Sequence, residues 1–155
     1  MTSFDEQLEK GKQWEQHFFK HLDEQKQMPK YNNFGGNNKE FDIEANGKKY
    51  EIKSDYKENQ TLPIEIFHWY TESNRLTFGW LFTTESDYII FYKTHFQERI
   101  YLHSQNLFDF VQTLLPKRRI IPTYDKEKIT YNMPIEMNEL GEKNIIKRIE
   151  PYLLH

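Results

Sequence analysis

Asn46-Gly47 lies between two stretches that alternate apolar and polar residues, and it constrains this chain more than any other feature. An Asn-Gly pair takes the positive φ values of a two-residue type I′ turn at little cost, so it fixes a hairpin and its register. Ala45 is then expected opposite Lys48, Glu44 opposite Lys49, Ile43 opposite Tyr50, Asp42 opposite Glu51, Phe41 opposite Ile52 and Glu40 opposite Lys53. Side chains alternate along a strand, so Phe41, Ile43, Tyr50 and Ile52 share one face. Glu40, Asp42, Glu44, Lys49, Glu51 and Lys53 share the other.

The charged face has two readings. As a solvated surface over an apolar underside it is served by Glu44–Lys49 and Glu40–Lys53, which pair opposite charges. Asp42 opposite Glu51 does not fit that reading, because like charges facing each other across strands destabilise a sheet. A divalent cation between them reverses the sign, since Mg²⁺ takes hard oxygen ligands, often one or two carboxylates completed by water. Lys53 points to the same side as Glu51 and can reach a phosphate or a water at such a metal. A cation that neutralises transition-state charge beside an acidified water is a workable centre for phosphodiester hydrolysis. Glu15 sits at the edge of the apolar stripe of the first helix, where it either reaches solvent or a lysine, or meets a metal.

Around the hairpin the pattern predicts a helix from Phe4 to Glu24, carried by Phe4, Leu8, Gly11, Trp14, Phe18 and Leu22, with Ser3 as its cap. Gln27 to Lys39 is a loop by composition. Strands are expected near Leu62–Tyr70, Gly79–Thr83, Asp87–Tyr92 and Arg99–Leu102. A helix capped by Ser104 runs to Leu115, where Pro116 stops it. An irregular basic loop to Lys128, a short strand at Ile129–Tyr131 and a last helix from Asn138 to Leu154 complete the chain. That helix would use Leu140, Ile145, Ile149 and Leu153. One helix, a run of strands, then helices and one more strand imply a single α/β domain over residues 1–155 with a mixed sheet.

Composition narrows the class. The chain has no cysteine, which excludes disulfides, thiolate zinc sites and Cys nucleophiles and fits a reducing cytoplasm, the expected location. Mean hydropathy is −0.91, and no apolar run approaches the ~20 residues of a spanning helix, so no membrane role is expected. The first residues have neither the basic start nor the apolar run of a signal peptide. A net charge of −3 argues mildly against nucleic acid as a partner, but a bound cation supplies positive charge that the count omits.

Other features have simple alternatives. Lys117-Arg118-Arg119 is the densest basic patch, either a solvated loop or a grip on a phosphate backbone. Lys57, in the loop after the hairpin, stands where it could touch DNA beside the site. His17 and His21 have zinc-binding spacing but no third ligand, and they read as surface histidines. Thr83, Thr84 and Asp87 either support the metal ligands or form a turn, and Trp14, Trp69 and Trp80 read as core. No Gly-rich phosphate loop and no G-x-S-x-G elbow is present, and no organic cofactor is expected.

Asp42 followed by Glu51-Ile52-Lys53 on the next strand resembles the PD-(D/E)XK nuclease superfamily. Glu15 upstream, in Gly11-Lys12-Gln13-Trp14-Glu15, is similar to the helix glutamate of its Holliday-junction resolvases and phage endonucleases. Pro63-Ile64-Glu65-Ile66, Gly79-Trp80-Leu81 and Thr83-Thr84-Glu85-Ser86-Asp87-Tyr88 resemble small phage-type members more closely still. The likeness covers about residues 10 to 95, and Phe41 stands where the motif has its proline. It implies a restriction-endonuclease-like core, a mixed central sheet flanked by helices. It also implies a Mg²⁺- or Mn²⁺-dependent DNA endonuclease, acting on plain or branched DNA, with a homodimer as one way to address both strands. Asp42, Glu51, the Ile52 carbonyl and Glu15 would then hold the metal, and Lys53 would orient water or stabilise charge. Glu65 would bind a second metal or face solvent. The alternative is an inactive nucleic-acid- or protein-binding module on the same fold, a class the superfamily contains.

Overall fold

The computed structural model describes residues 4–32 and 41–153. Helix α1 (Phe4–Glu24) is followed by the two-residue strand β1 (Lys30–Tyr31). Asn46 and Gly47 take φ of 50° and 76°, the left-handed pair that a type I′ turn requires. They join β2 (Ile43–Ala45) to β3 (Lys48–Asp55) in the expected register, with Ala45 against Lys48, Glu44 against Lys49 and Ile43 against Tyr50. A Cβ on Gly47 would meet nothing within 4 Å. Gly47→Ala should therefore carry only the backbone cost, a loss of about 1 kcal/mol, seen as a lower urea midpoint at constant m-value.

The register departs from expectation one step beyond Ile43. The Asp42 amide donates to the Tyr50 carbonyl at 2.9 Å, while the Asp42 carboxylate accepts the Ile52 amide at 2.7 Å. A side chain thus replaces the next backbone rung, the local competition that Asp side chains commonly offer. Phe41 does not join the Ile43–Tyr50–Ile52 face. It is half-buried, with the Lys49 ammonium 4.9 Å from its ring centre. The expected Glu40–Lys53 pair and the side chains of Phe4 and Leu8 lie outside the described residues.

Two sheets form. β6 (Tyr88–Lys93), β7 (Glu98–His103) and β10 (Ile146–Pro151) extend the hairpin into a six-stranded sheet of order β1-β2-β3-β6-β7-β10. It is mixed, because β3 and β6 run parallel and every other neighbour antiparallel. β5 (Arg75–Phe78), β4 (Thr61–Tyr70), β9 (Lys128–Glu136) and β8 (Ile121–Tyr124) form a four-stranded antiparallel sheet in that order.

The run Tyr88-Ile89-Ile90-Phe91-Tyr92 explains the layering, because a strand apolar on both faces must be covered on both. Ile90 and Tyr92 pack with Trp14, Phe18 and Leu22 of α1. Ile89 and Phe91 pack with Leu62, Ile64, Met133 and Ile135 of the second sheet, and with Leu107 and Val111 of α2 (Ser104–Leu114). The architecture is α/β with a mixed central sheet, covered by a helix on one face and by a second sheet and a helix on the other.

Several expected elements differ: β1 lies in the expected loop Gln27–Lys39, and β8 in the expected irregular loop before Lys128. Gly79–Thr83 is no strand but a 3₁₀ turn at Trp80–Phe82. The Gly79 amide bonds the Ile66 carbonyl at 2.8 Å, and a Cβ there would lie 1.9 Å from the Glu65 carbonyl oxygen, so the chain is pressed against β4 and turns away. α2 begins at Ser104, but its cap is His103, whose side chain accepts the Asn106 amide. The last helix is only Met137–Glu142 (α3). Asn144, at φ 58°, reverses the chain, and β10 follows. Leu140 and Ile145 are buried as expected, but Ile149 and Leu153 are exposed.

Candidate functional site

β3 divides its side chains between two environments. Tyr50 and Ile52 face α1, so the alternating residues Glu51, Lys53 and Asp55 face the second sheet. The charged face of the hairpin is therefore interior, with Asp42 6% and Glu51 7% exposed. The solvated-surface reading fails for these two. Asp55, further along, is closed off by Lys93, whose ammonium bonds its carboxylate at 2.5 Å, Asn59 at 3.1 Å and the Thr61 carbonyl at 2.6 Å. That buried pair is fully engaged and serves the fold.

Asp42 and Glu51 have a different arrangement. Their carboxyl groups hydrogen-bond to each other, and the Thr84 hydroxyl also bonds Glu51. Burial, reinforced by the Asp42 charge against the opposing pull of Lys53, pushes the Glu51 carboxyl up to about 8. A proton shared with Asp42 relieves the repulsion between two buried like charges. Asp42 is at the same time fixed by the Ile52 amide, so the pair is held in place by β3 itself.

Lys53 is half-buried, its ammonium 5.4 Å from the centre of the Trp80 ring, in cation–π range. Burial works against its charge, but Glu51, Glu65, Asp42 and Glu15 outweigh burial and hold its pKa above the ordinary lysine value. Glu65 reaches this group from β4, beside the irregularity where pairing shifts between Glu65 and Phe67. Its carboxylate lies 3.2 Å from His68 Nε2, and His68 Nδ1 is 2.9 Å from the Thr130 hydroxyl. Burial raises Glu65, but the bond to His68 and the charge of Lys53 prevail and keep its pKa below the usual carboxylate range. Two carboxyls beside one ammonium thus differ in state, Glu51 protonated and Glu65 ionised near neutral pH.

Comparison with protein-family models, curated proteins and solved structures finds no match.

Of the residues singled out from sequence, Glu51, Glu65, Asp42 and Glu15 each act electrostatically on Lys53, and Asp42 also acts on Glu51. Ile52 is tied to Asp42 through its amide. Among the described residues no three His, Asp or Glu side chains converge closely enough to hold a metal ion by themselves. Asp42 and Glu51 are a two-carboxylate donor set, which suits Mg²⁺ with backbone oxygen and water completing the shell. Lys57, Lys117 and Arg119 are exposed, and Arg118 is bound at two points by Glu139. His17 and His21 are half-buried rather than surface residues. His17 meets the Tyr92 hydroxyl at 2.9 Å, and His21 meets the Arg99 guanidinium at 3.2 Å, a cation that disfavours a metal there. No helix among the described residues is long and apolar enough to cross a membrane.

Two contributors, His68 and Trp80, were not singled out as site groups, whereas Thr84 was weighed as support for the metal ligands and bonds Glu51. Thr84 lies in the Thr-Thr-Glu-Ser-Asp-Tyr string that carried part of the resemblance, so it had a signal. His68 had only its three-residue spacing from Glu65, and Trp80 was read as core although Gly79-Trp80-Leu81 carried part of the resemblance. Asp87, weighed with Thr84, accepts the Lys49 amide at 2.9 Å and secures the hairpin edge.

Proposed function

We propose that this protein is a metal-dependent deoxyribonuclease with a restriction-endonuclease-like core. The observation that carries the reading is the buried Asp42–Glu51 carboxyl pair beside Lys53. A fold gains nothing from two carboxyls pressed together in its interior, whereas a hard divalent cation is what such a pair binds once the shared proton leaves.

Asp42 and Glu51 would hold the cation, with the Ile52 carbonyl and Glu15 completing or supporting its shell. When bound, Mg²⁺ or Mn²⁺ supplies Lewis acidity to the phosphate and acidifies a water. The chain supplies the rest. Lys53 stabilises the negative charge that builds on the phosphoryl oxygens as the water oxygen bonds to phosphorus and the P–O bond to the leaving sugar oxygen breaks. Glu65, kept ionised by His68, is the carboxylate able to take the proton of the attacking water, and solvent protonates the leaving oxygen. Lys57 and Lys117–Arg119 are candidate contacts to the DNA backbone. Two such chains, as a homodimer, would address both strands of a duplex or a branched junction.

The test is cleavage of duplex, nicked, four-way-junction and single-stranded DNA in Mg²⁺, Mn²⁺ or EDTA, comparing wild type with Asp42→Asn. The asparagine can still accept the Ile52 amide, so the hairpin is retained. Cutting that needs the cation and is lost in the variant is the expected result. If nothing is cut and calorimetry detects no divalent-cation binding, the nuclease is excluded and a non-catalytic binding module takes its place.

A further inference from the structure

The six-stranded sheet carries a polar hollow on the face opposite Lys53. α1 packs over Ile43, Ile52, Ile90 and Tyr92 on that face. Lys48, Tyr50, Tyr88, Tyr101, Lys147 and Arg148 line a hollow of about 360 Å³ on the same face. It spans four adjacent strands, β3, β6, β7 and β10. The tyrosines form its floor. Tyr50 and Tyr88 stack with ring centres 5.9 Å apart, and the Arg148 guanidinium lies 4.1 Å from the centre of the Tyr101 ring. The rim is exposed and cationic. Every charged side chain that lines the hollow is positive, in a chain whose net charge is −3.

Two successive residues of a regular strand point to opposite faces. Lys147 and Arg148 both line this hollow, and the reason is an irregularity. Ile146 pairs with Leu102 and Arg148 with Tyr101, which leaves Lys147 as an extra residue in β10. Such a bulge interrupts the ladder and re-aims a side chain, and bulges concentrate at sheet edges and beside functional sites. Here it doubles the positive charge that one short edge segment turns to one side. Of the neighbouring carboxylates, Glu150 holds Arg148 Nε at 3.5 Å and Asp87 accepts the Lys49 amide. Neither lines the hollow.

We propose that this hollow binds a phosphate group, with Lys48, Lys147 and Arg148 supplying charge and the Tyr50 and Tyr88 hydroxyls supplying donors, the Tyr101 hydroxyl being already given to Glu150. Phosphate fits better than a carboxylate because its multiple oxygens and higher charge use several donors and cations together. The volume is several times that of a phosphate ion, so the group belongs to a larger molecule, either a free nucleotide or a nucleic-acid strand. In both, the half-buried ring of Tyr88 is the aromatic surface left to meet a base, since Tyr50 and Tyr101 are buried. The site stands apart from the Asp42–Glu51–Lys53 group and does not rest on the nuclease reading.

The experiment is an amide NMR titration of the full chain, in EDTA, with inorganic phosphate, then a mononucleotide, then a short single-stranded oligonucleotide. Phosphate is expected to move the Tyr88, Lys147 and Arg148 amides. Lys48→Glu with Lys147→Glu, two exposed changes, should weaken that binding by about tenfold or more, while Lys126→Glu on the far sheet leaves it unchanged. A strand as ligand would bind more tightly than the mononucleotide, and the double variant would lower its salt slope by about two. Equal affinity for the two assigns the site to a nucleotide. The proposal is overturned if phosphate leaves these amides unmoved, or if Lys126→Glu weakens the binding as much as the double change.

Discussion

Lys53→Ala should lower metal-dependent DNA cleavage by about 10²–10³-fold, the usual loss when one preorganised donor to a developing oxyanion is removed. The same change should leave divalent-cation affinity unchanged or tighter. The ammonium sits among Glu51, Glu65, Asp42 and Glu15, and a cation arriving at those carboxylates is repelled by it. Activity and metal affinity would then move apart, which neither unfolding nor loss of a metal ligand produces. Single-turnover cleavage and calorimetry on one preparation read both quantities. Lys53→Arg is expected to remain impaired, because a planar fork cannot occupy the position of a compact ammonium over Trp80. Full activity in Lys53→Ala would remove the lysine from the chemistry.

The hairpin was legible because its determinants are local. Asn46-Gly47 sets its own φ angles and with them the three rungs beside the turn. The next rung was not legible, since Asp42 uses its side chain where alternation assumes backbone. The same substitution brings Asp42 and Glu51 together as the sequence anticipated, by a different contact. The second sheet could not be read in advance. Its β4–β9 pairing joins segments more than fifty residues apart, from Thr61 against Glu136 to Tyr70 against Lys128, and local pattern carries no trace of that. The misread final helix shows the converse error. Leu140, Ile145, Ile149 and Leu153 fall near helical spacing, but Asn144 in the left-handed region and the pairing of β10 with β7 override it. At the site, Asp42, Glu51 and Lys53 were visible because one hairpin holds them. Trp80, His68 and Thr130 arrive from beyond it.

Glu51→Gln should stabilise the metal-free protein at pH 8 by a few kcal/mol and flatten its stability between pH 5 and 8. The Glu51 carboxyl is raised from 4.5 to about 8 in the folded chain, with burial as the first cause. Between those values the folded state binds more protons than the unfolded state. Stability is therefore highest below the lower value and falls as pH rises through the upper one, leaving two buried carboxylates side by side. Glutamine stays neutral and can still donate to Asp42, so it removes that loss. On the nuclease reading, a divalent cation would have the same effect on the pair as the proton it displaces. Wild type at pH 7 should accordingly release about one proton on binding Mg²⁺, measured as a buffer-dependent enthalpy, and Glu51→Gln should release none. Melting curves at pH 5 and pH 8, with and without Mg²⁺, separate the possibilities. If wild type keeps the same midpoint across that range, the two carboxyls share no proton. If instead it weakens with pH but Mg²⁺ does not restore it, the pair titrates without binding metal, and the cation must be sought elsewhere.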